Sequence, residues 1–455
     1  MAHKYKLSYF NLTGLGEPIR FLLSYGGAKF EDHRFNHDQW PALKNSMPYG
    51  KVPVLEIDGK AVHQHLAICR YLAKQFKLTG GSDWDDLQCD MIVDTVNDLR
   101  TQVVALFREK DEKKKEEMTK TLKSETIPYY LSRLDAEVKK NSGHFVNGKL
   151  TWADLYIVAV LQFLQAFMKM DFMDGNRNLK AINDKVMNIP SIKSWVEKRP
   201  KTDLVQFELF SSPPPFSFGF KTPANICYHI NINRLGDPSN TEKYPFVSTA
   251  MAPKYKLTYF DAAGLAEPIR FLFAYGGADY EDVRFQRDEW PQLKDTTPFG
   301  HVPILEVDGK TVHQSVAICR YLAKQFNLAG ADDWESLQCD MMIDTFSDLR
   351  DPVNKYFHEP DEDKKAERLK VLKEETFPFY LKKFDEEVAK NKGYFVGGKL
   401  TWCDLYIVSL LQVMQDHMKM DSFGDEYPHL KKVYNTVLDI PSIKSWVERR
   451  PKAKH

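Results

Sequence analysis

Alternating apolar and polar positions near the start of the chain predict a β-strand. Tyr5, Leu7 and Tyr9 fall on one face of this segment, because successive side chains of a strand point to opposite faces. A Gly-x-x-Glu-Pro turn then leads into an amphipathic helix over 19–25, with Pro18 in the first turn, where proline is tolerated. The pattern therefore predicts a strand followed by a helix.

Short apolar runs continue this mixed pattern as far as residue 76. A second strand is predicted over 32–35, and a polar, proline-bearing stretch extends from there to Gly50. The run VPVLEIDGKAVHQ predicts two short strands around the hairpin signal Asp58-Gly59. A helix over 65–76 completes the order β-α-β, an irregular stretch, and β-β-α.

Helical periodicity replaces the mixed pattern after residue 81. Apolar residues at helical spacing predict long helices over 87–107, 111–140 and 151–170, followed by shorter ones and no strand. The segment TWAD at 151–154 has the spacing of a capping box, with Asp154 in place of the usual glutamate. A small mixed α/β domain is therefore followed by an all-helical one.

The whole pattern occurs twice along the 455 residues. YKLSYFNLTGLGEPIRFLLSYGGA from Tyr5 returns as YKLTYFDAAGLAEPIRFLFAYGGA from Tyr255. A repeat of this length indicates a duplicated domain pair and not a solenoid. The predicted units are an α/β domain at 1–79, a helical domain at 82–203, a second α/β domain at 251–329 and a second helical domain at 332–455.

Residues 204–250 have no counterpart and contain Pro213-Pro214-Pro215. We expect an irregular linker without packed structure there. Met251-Ala252 mirrors Met1-Ala2. Two neighbouring genes translated as one chain therefore remain an alternative to a genuine tandem protein.

Charge and cysteine content narrow the functional classes. The chain has 63 basic and 63 acidic residues without a long block of one sign, which argues against a duplex nucleic acid or an anionic membrane as partner. No C-x-x-C pair or zinc-like spacing occurs, so we expect reduced, mostly buried thiols and no metal site. The N-terminus lacks an apolar signal core, and a cytoplasmic location is expected. The six cysteines are Cys69, Cys89, Cys227, Cys319, Cys339 and Cys403.

The motifs of the first domain resemble a thioredoxin fold without its redox pair. A Val-Pro loop enters the hairpin after a βαβ unit, but the C-x-x-C motif is missing, so disulfide exchange is not expected. Together with the helical domain, the motifs Tyr-Phe, Glu-Pro-Ile-Arg, Trp-Pro, Lys-Val-Pro and Thr-Trp-x-Asp resemble a glutathione S-transferase. In detail, YKLTYF, DEWP, VHQS and DT-x-x-D-x-R are similar to the sigma class, which includes insect transferases, haematopoietic prostaglandin D synthase and the S-crystallins.

This resemblance implies a catalytic role for Tyr9 and Tyr259, at the carboxyl end of the first strand of each repeat. In the family this hydroxyl donates a hydrogen bond to the glutathione sulfur. A thiol with a pKa of about 8.5 is mostly protonated at neutral pH. Lowering that pKa by roughly two units needs about 2.7 kcal/mol, and one charge-assisted hydrogen bond supplies about 1.5 to 3. The alternative is a tyrosine that only packs in its strand.

The resemblance also implies the residues that hold glutathione. Gln64-His65 and Gln314-Ser315 begin a helix whose free N–H groups favour the γ-glutamyl carboxylate. Because His65 replaces the serine of the family pattern, we expect the first repeat to bind glutathione more weakly. The cysteinyl unit would pair with the backbone of a cis-proline loop, formed by Val52, Pro53, Val302 and Pro303. The glycyl end would contact Trp40, Lys44, Lys51, Trp290, Lys294 and His301.

Two further sets follow from the same resemblance. Asp98 and Asp348 align with the aspartate that reaches across a dimer to the amino group of the ligand. Leu15 and Leu265 stand where vertebrate prostaglandin D synthase has arginine, which argues against prostaglandin isomerisation. The implied electrophile pocket consists of Leu15, Arg100, Tyr156 and Val160, and of Leu265, Arg350, Tyr406 and Leu410 in the second repeat.

The predicted function is conjugation of glutathione to soft hydrophobic electrophiles, with reduction of lipid peroxides as a related activity. Glutathione would act as a cosubstrate, and no covalently bound cofactor is predicted. The repeats would pair within one chain, or two chains would form a homodimer. A glutathione-dependent prostaglandin D isomerase and a non-catalytic protein of the S-crystallin type remain alternatives.

Overall fold

The computed structural model describes residues 3–106, 108–201, 253–418 and 425–451. The predicted linker at 204–250, and Cys227 within it, lie outside these residues. Each repeat begins with a mixed sheet and continues with helices, as predicted. The strands and α-helices of the described residues occur in the same order in both repeats.

A four-stranded sheet with three helices forms the first part of repeat one. Its strands lie in the order β2-β1-β3-β4, with β1 parallel to β2 and antiparallel to β3, and with β3 and β4 forming the hairpin. The elements are β1 (Tyr5–Phe10), α1 (Glu17–Tyr25), β2 (Phe30–Phe35), α2 (Trp40–Leu43), β3 (Val54–Ile57), β4 (Lys60–His63) and α3 (His65–Gln75).

Six helices form the second part of repeat one, and they begin after the predicted boundary at residues 79–82. The longest, α4, starts four residues earlier than the periodicity predicts, because Ser82 caps its first turn by accepting a hydrogen bond from Asp85 N. The helices are α4 (Asp83–Ala105), α5 (Glu112–Thr121), α6 (Ile127–Lys140), α7 (Trp152–Met168), α8 (Arg177–Met187) and α9 (Pro190–Lys198).

The second repeat has the same order, and its sheet runs β6-β5-β7-β8. Its strands are β5 (Tyr255–Phe260), β6 (Tyr280–Phe285), β7 (Ile304–Val307) and β8 (Lys310–His313). Its helices are α10 (Glu267–Gly276), α11 (Trp290–Leu293), α12 (Ser315–Gln325), α13 (Asp333–Phe357), α14 (Glu362–Val371), α15 (Phe377–Lys390), α16 (Trp402–Met418), α17 (Pro428–Leu438) and α18 (Pro441–Arg449).

The helix predicted over 111–140 is interrupted by one π-helical turn, Leu122–Thr126. Pro128 lies two residues after the end of this turn. Proline has no N–H to donate and its ring conflicts with the carbonyl four residues earlier, so the backbone widens locally. The turn Leu372–Thr376 before Pro378 repeats the feature. The hydrophobic period alone continues through both sites and could not predict the interruption.

Helix α7 lies at the centre of its repeat and is buried along most of its length. The predicted capping box is present: Thr151 N donates to Asp154 Oδ2 at 2.7 Å, and Phe145 N donates to Asp154 Oδ1 at 3.0 Å. One buried carboxylate thus fixes both the helix start and the preceding loop. Among the described residues, no helix combines the length and apolarity needed to span a membrane. The five cysteines within the described ranges are buried free thiols.

The two repeats contact each other through a buried ring of ion pairs, formed by Arg70, Asp90, Arg320 and Asp340. Arg70 Nε lies 2.7 Å from Asp90 in its own repeat, and Arg70 Nη1 lies 3.1 Å from Asp340 in the other. Arg320 makes the mirrored pairs, at 2.7 Å to Asp340 and 2.9 Å to Asp90. Each carboxylate therefore bridges both repeats.

Aromatic side chains add a second contact between the repeats. Tyr49 packs against Tyr380 and Phe384 of the second repeat, with ring centroids 6.2 and 6.4 Å apart. In the mirrored contact, Phe299 lies 5.8 Å from Tyr130 of the first repeat. Burial of such rings provides non-directional stabilisation beside the directional ion pairs.

Asp94 lies one helical turn beyond Asp90 on α4, and burial raises its pKa to about 8 despite nearby arginines. The pKa of Asp94 is higher in the folded protein than in the unfolded chain, so folding disfavours the charged carboxylate. The free energy of unfolding therefore declines as pH rises from the unfolded pKa of 3.8 toward 8. We expect Asp94→Asn to raise the free energy of unfolding by about 2 kcal/mol at pH 8 and by little near pH 4. Urea unfolding across this pH range measures the difference.

Asp90→Asn is the matched control, and its expected effect on the free energy of unfolding has the opposite sign. Burial raises the pKa of Asp90, but Arg320 and Arg70 outweigh it and the net pKa is lowered. Its charge therefore stabilises the fold above the unfolded pKa, and this contribution is lost as pH falls. Removing it leaves two buried arginines short of a partner and should cost about 3 to 5 kcal/mol at pH 8. Equal stability of Asp94→Asn and the parent at every pH would contradict the assignment.

Candidate functional site

Tyr9 ends its strand beside the turn that starts α1, and the turn holds its hydroxyl from one side. Leu15 N donates a hydrogen bond to Tyr9 Oη at 3.1 Å, and Leu265 N donates to Tyr259 Oη at 3.2 Å. Gly14 makes this approach feasible, because its φ is +42° and a Cβ there would lie 2.8 Å from Tyr9 Oη. The phenol oxygen thus accepts one bond and keeps its own proton to donate.

The electrostatics of this hydroxyl favour a neutral donor. Burial raises the pKa of Tyr9, while the Leu15 N–H, Arg100 and Arg20 act in the opposite direction. The pKa of Tyr259 is also raised by burial, against the Leu265 N–H and nearby arginines. A phenol with a raised pKa keeps its proton at neutral pH. Both tyrosines can therefore donate a hydrogen bond to an anion such as a thiolate.

The predicted proline loops precede the hairpins, and both the Val52–Pro53 and the Val302–Pro303 peptide bonds are cis. Just after each hairpin, Gln64 and Gln314 have φ values of 68° and 72°, in the left-handed region. This turn directs the following backbone into the first turn of α3 or α12, whose N–H groups are free of intrahelical partners. The strands, the loop and the helix start therefore surround one edge of each sheet.

The site of the first repeat is completed by a carboxylate from the second. Gln64 Nε2 donates to Asp348 Oδ2 at 2.8 Å, and Lys51 Nζ lies 2.6 Å from the same oxygen. The mirrored bond runs from Gln314 Nε2 to Asp98 Oδ2 at 2.7 Å. Each predicted aspartate therefore lies at the site of the other repeat.

The two sites differ beside this carboxylate. Where the first has Lys51, the second has His301, whose Nε2 lies 3.1 Å from Tyr130 Oη. Burial is the largest effect on the pKa of Asp98 and raises it, although Gln314 and His301 act against this. The first site therefore holds its aspartate in a close ion pair, and the second does not.

Sequence reasoning missed two contributors to this arrangement. Thr345 Oγ1 also accepts from Gln64 Nε2, at 3.2 Å, and the ring of Tyr380 lies 5.9 Å from Lys51 Nζ. Thr345 belongs to the same DT-x-x-D-x-R motif as Asp348, so the motif was a usable signal. Tyr380 lies on a helix of the other repeat, and nothing in the local sequence indicates its position.

The residues predicted for the glycyl end lie on the segment between β2 and β3. Trp40 stacks on Phe35 with ring centroids 5.8 Å apart, and Trp290 stacks in the same way on Phe285. Lys44 and Lys294 follow on the next turn, and their aliphatic stems lie against Gly50 and Gly300. The aromatic stack fixes the indole, and the lysines extend from the same support.

His65 is turned toward the helical domain of its own repeat. Its Nε2 lies 3.0 Å from Tyr156 Oη, and the two rings stack with centroids 6.0 Å apart. Burial, with Arg100 and Arg70 nearby, holds the pKa of His65 well below its usual value, so the ring is neutral at neutral pH. Ser315, at the same place in the second repeat, is buried at the start of α12.

The predicted electrophile pocket combines apolar and polar side chains in both repeats. Val160, Leu410, Tyr156 and Tyr406 are buried on α7 and α16. Leu15 and Leu265 are half-buried beside Tyr9 and Tyr259. Arg100 and Arg350 are part-buried on α4 and α13. Within the described ranges, no group of three or more histidine, cysteine or acidic side chains is arranged to hold a metal ion.

Two family descriptions match the chain, each of them twice. "Glutathione S-transferase, N-terminal domain" matches residues 5–74 and 255–324. "Glutathione S-transferase, C-terminal domain" matches residues 97–199 and 347–450. Together the matches include the tyrosines, the proline loops, the helix starts and the aspartates described above.

Individual relatives match about one repeat in length. "Glutathione S-transferase" of Anopheles gambiae is 46% identical over 200 residues, which are 44% of this chain and 98% of that protein. "Glutathione S-transferase S1" of Drosophila melanogaster is 44% identical over 204 residues, 45% of this chain and 82% of that protein. "Hematopoietic prostaglandin D synthase" of Gallus gallus is 39% identical over 198 residues, 44% of this chain and 98% of that protein.

Proposed function

Because this chain belongs to the glutathione S-transferase family, we propose that each repeat ionises bound glutathione and presents the thiolate to a soft hydrophobic electrophile. Conjugation is the main reaction, and reduction of lipid peroxides is a related one. The observation that carries the proposal is the pair of neutral phenols, the buried Tyr9 and the half-buried Tyr259, each with its oxygen already accepting a backbone N–H bond.

The chemistry requires only modest energy from the protein. The sulfur of glutathione would accept the phenol proton as a hydrogen bond, which stabilises thiolate over thiol. A charge-assisted hydrogen bond contributes about 1.5 to 3 kcal/mol, enough to lower a thiol pKa by one to two units. The incoming bond from Leu15 N strengthens the phenol as a donor, because hydrogen bonds in a chain polarise one another. Holding both reactants together supplies the remaining acceleration.

Glutathione would bind along the edge formed by the cis-proline loop and the start of α3 or α12. Its cysteinyl backbone would pair with Val52 or Val302, and its γ-glutamyl carboxylate would accept from the N–H groups at the helix start. The amino group would lie near Asp348 or Asp98, supplied by the other repeat. Each site is therefore complete only when the two repeats contact each other.

We propose that the repeats pair within one chain and that the protein is a cytoplasmic enzyme of the sigma class. Linking both partners on one chain raises their effective concentration to about the millimolar range for a linker of this length. The sigma assignment depends on the motifs YKLTYF, DEWP and VHQS, and on the insect relatives that carry the glutathione S-transferase name.

Two other functions have weaker support. A prostaglandin isomerase is suggested by the name of the Gallus gallus relative, but leucines at 15 and 265 provide no charge beside the reacting sulfur. A non-catalytic protein of the S-crystallin type would not need a polar thiol site, yet Tyr259, Gln314 and Ser315 are all retained. Transfer of glutathione to an electrophile would use Tyr259, Gln314 and Ser315.

Single and double substitutions of the tyrosines test the catalytic proposal. Tyr9→Phe and Tyr259→Phe should each remove the activity of one repeat, and the double variant should lose roughly 10- to 100-fold in rate at neutral pH. The ultraviolet absorbance of bound thiolate, followed against pH, measures the thiol pKa directly. If the double variant shows the same thiol pKa as the parent, the tyrosines are not the activating groups.

Aspartate substitutions test whether each site uses both repeats. With the second site silenced by Tyr259→Phe, Asp348→Asn should raise the KM for glutathione roughly tenfold, whereas Asp98→Asn should leave it nearly unchanged. In the Tyr9→Phe background the two effects should exchange. A native mass near 52.8 kDa indicates pairing within one chain, and twice that mass indicates a homodimer. An effect of each aspartate on its own repeat alone would contradict the shared site.

The difference between His65 and Ser315 predicts unequal affinity. A serine hydroxyl can donate to the γ-glutamyl carboxylate, whereas the neutral ring of His65 is engaged with Tyr156. We expect His65→Ser to tighten glutathione binding at the first site about three- to tenfold, and Ser315→His to weaken the second site by a similar factor. Calorimetric titration of each variant gives both affinities. Two equal sites in the parent protein would refute the expectation.

A further inference from the structure

The arginines of the two electrophile pockets differ in their hydrogen bonding. In the first repeat, Arg100 Nε donates to Asn97 Oδ1 at 2.8 Å. In the second repeat, Ser347 replaces the asparagine and bonds to the backbone oxygen of Ile343 instead. Arg350 Nε and Nη1 are consequently buried with no acceptor among the described residues. Arg100 Nη2 also donates to Thr101 Oγ1 at 3.5 Å, where the second repeat has Asp351. The replacements of Asn97 and Thr101 therefore separate a guanidinium with side-chain acceptors from one whose Nε and Nη1 have none among the described residues.

The tyrosines facing these arginines show the same difference. Tyr156 Oη has a partner in His65 Nε2 at 3.0 Å. Tyr406 Oη is buried and has no partner at full hydrogen-bond geometry among the described residues, but the Ser315 hydroxyl lies close enough to act as a hydrogen-bond partner and lower the pKa of Tyr406. The first repeat thus pairs Arg100 and Tyr156 internally, whereas in the second repeat Arg350 Nε and Nη1 have no acceptor among the described residues.

Arg350 lies within electrostatic reach of the reacting position. Burial raises the pKa of Tyr406 to about 12, and Arg350 is the largest effect in the opposite direction. Arg350 also opposes the raised pKa of Tyr259, after burial and the Leu265 N–H. The charge of the Arg350 guanidinium therefore lowers the pKa of both tyrosine hydroxyls against the effect of burial.

We propose that the electrophile pocket of the second repeat (Leu265, Arg350, Tyr406 and Leu410) takes amphiphilic electrophiles that carry a carboxylate, bound by the N–H donors of Arg350. This inference rests on the proposed transferase function and names a substrate class for one of its two sites. A carboxylate matches the single cation, because a buried charge needs one partner of opposite sign. A dianionic phosphate would need further cations than this pocket contains. The first pocket, with Arg100 already bonded, takes neutral electrophiles.

Paired substrates that differ only in charge test this selectivity. Ethacrynic acid and its methyl ester react with glutathione at the same carbon, and the acid-to-ester ratio of kcat/KM reports recognition of the carboxylate. We expect this ratio to be at least about tenfold higher in the Tyr9→Phe background, which leaves the second site, than in the Tyr259→Phe background. Equal ratios in the two backgrounds would overturn the proposal.

Exchanging Asn97 and Ser347, which lie three residues before Arg100 and Arg350, provides matched variants. In the Tyr9→Phe background, Ser347→Asn should occupy the guanidinium and lower the ratio severalfold, Arg350→Gln should lower it about tenfold, and Arg350→Lys should restore part of it. In the Tyr259→Phe background, Asn97→Ser should raise the ratio, while Arg100→Gln should change it little. If Arg350→Gln lowers acid and ester turnover alike, the arginine has a general positioning or structural role and the inference is wrong.

A binding measurement separates this inference from the transferase function itself. Dodecanoate and dodecanol, titrated calorimetrically into the full chain, should show one carboxylate-selective site per chain. That site should be lost in Arg350→Gln and joined by a second in Asn97→Ser. Failure of ester conjugation in the parent protein would sink the proposed function but leave this prediction standing. Equal binding of acid and alcohol would sink the inference while leaving ester conjugation intact.

Discussion

The buried ring of Arg70, Asp90, Arg320 and Asp340 determines how the repeats lie against each other. A buried charge is tolerated only when it is paired, and each member of this ring has a partner in both repeats. Sliding one repeat along the other would separate the two pairs that cross between the repeats, Arg70–Asp340 and Arg320–Asp90. The ring therefore specifies a single register of α3 on α13 and of α12 on α4, which apolar contacts alone would not do.

The active sites depend on that register. Asp348 lies on α13, two helical turns beyond Asp340, and this spacing places its carboxylate against Gln64 and Lys51 of the first repeat. Asp98 is positioned in the same way from α4. The charge network thus determines where the aspartates of the proposed glutathione sites lie. The ion-pair ring and the proposed sites draw their carboxylates from the same two helices, α4 and α13.

The sequence predicted the features that depend on local pattern. Strand alternation at Tyr5 and Leu7, the Asp58-Gly59 hairpin and the capping box at Thr151 are each determined within a few residues, and all are present. Contacts such as Gln64 with Asp348 join residues far apart in the chain, and only the resemblance to a known family indicated them. The different hydrogen bonding of Arg100 and Arg350 was not predictable, because it depends on the rotamers of the side chains around each guanidinium.

Duplication allows the two sites to diverge in a way that a symmetric dimer of one repeat cannot. Glu17 and Glu267 accept equivalent hydrogen bonds from the indole N–H of Trp195 and Trp446. These bonds connect the last helix of each repeat to its first helix. Three of the pairs that differ between the repeats lie at the candidate sites: Lys51 and His301, His65 and Ser315, Asn97 and Ser347. Each site takes its aspartate from the other repeat. Loss of either repeat would therefore remove an aspartate from the remaining site. One chain can thereby keep a fixed scaffold with two pockets whose arginines differ in their hydrogen bonding.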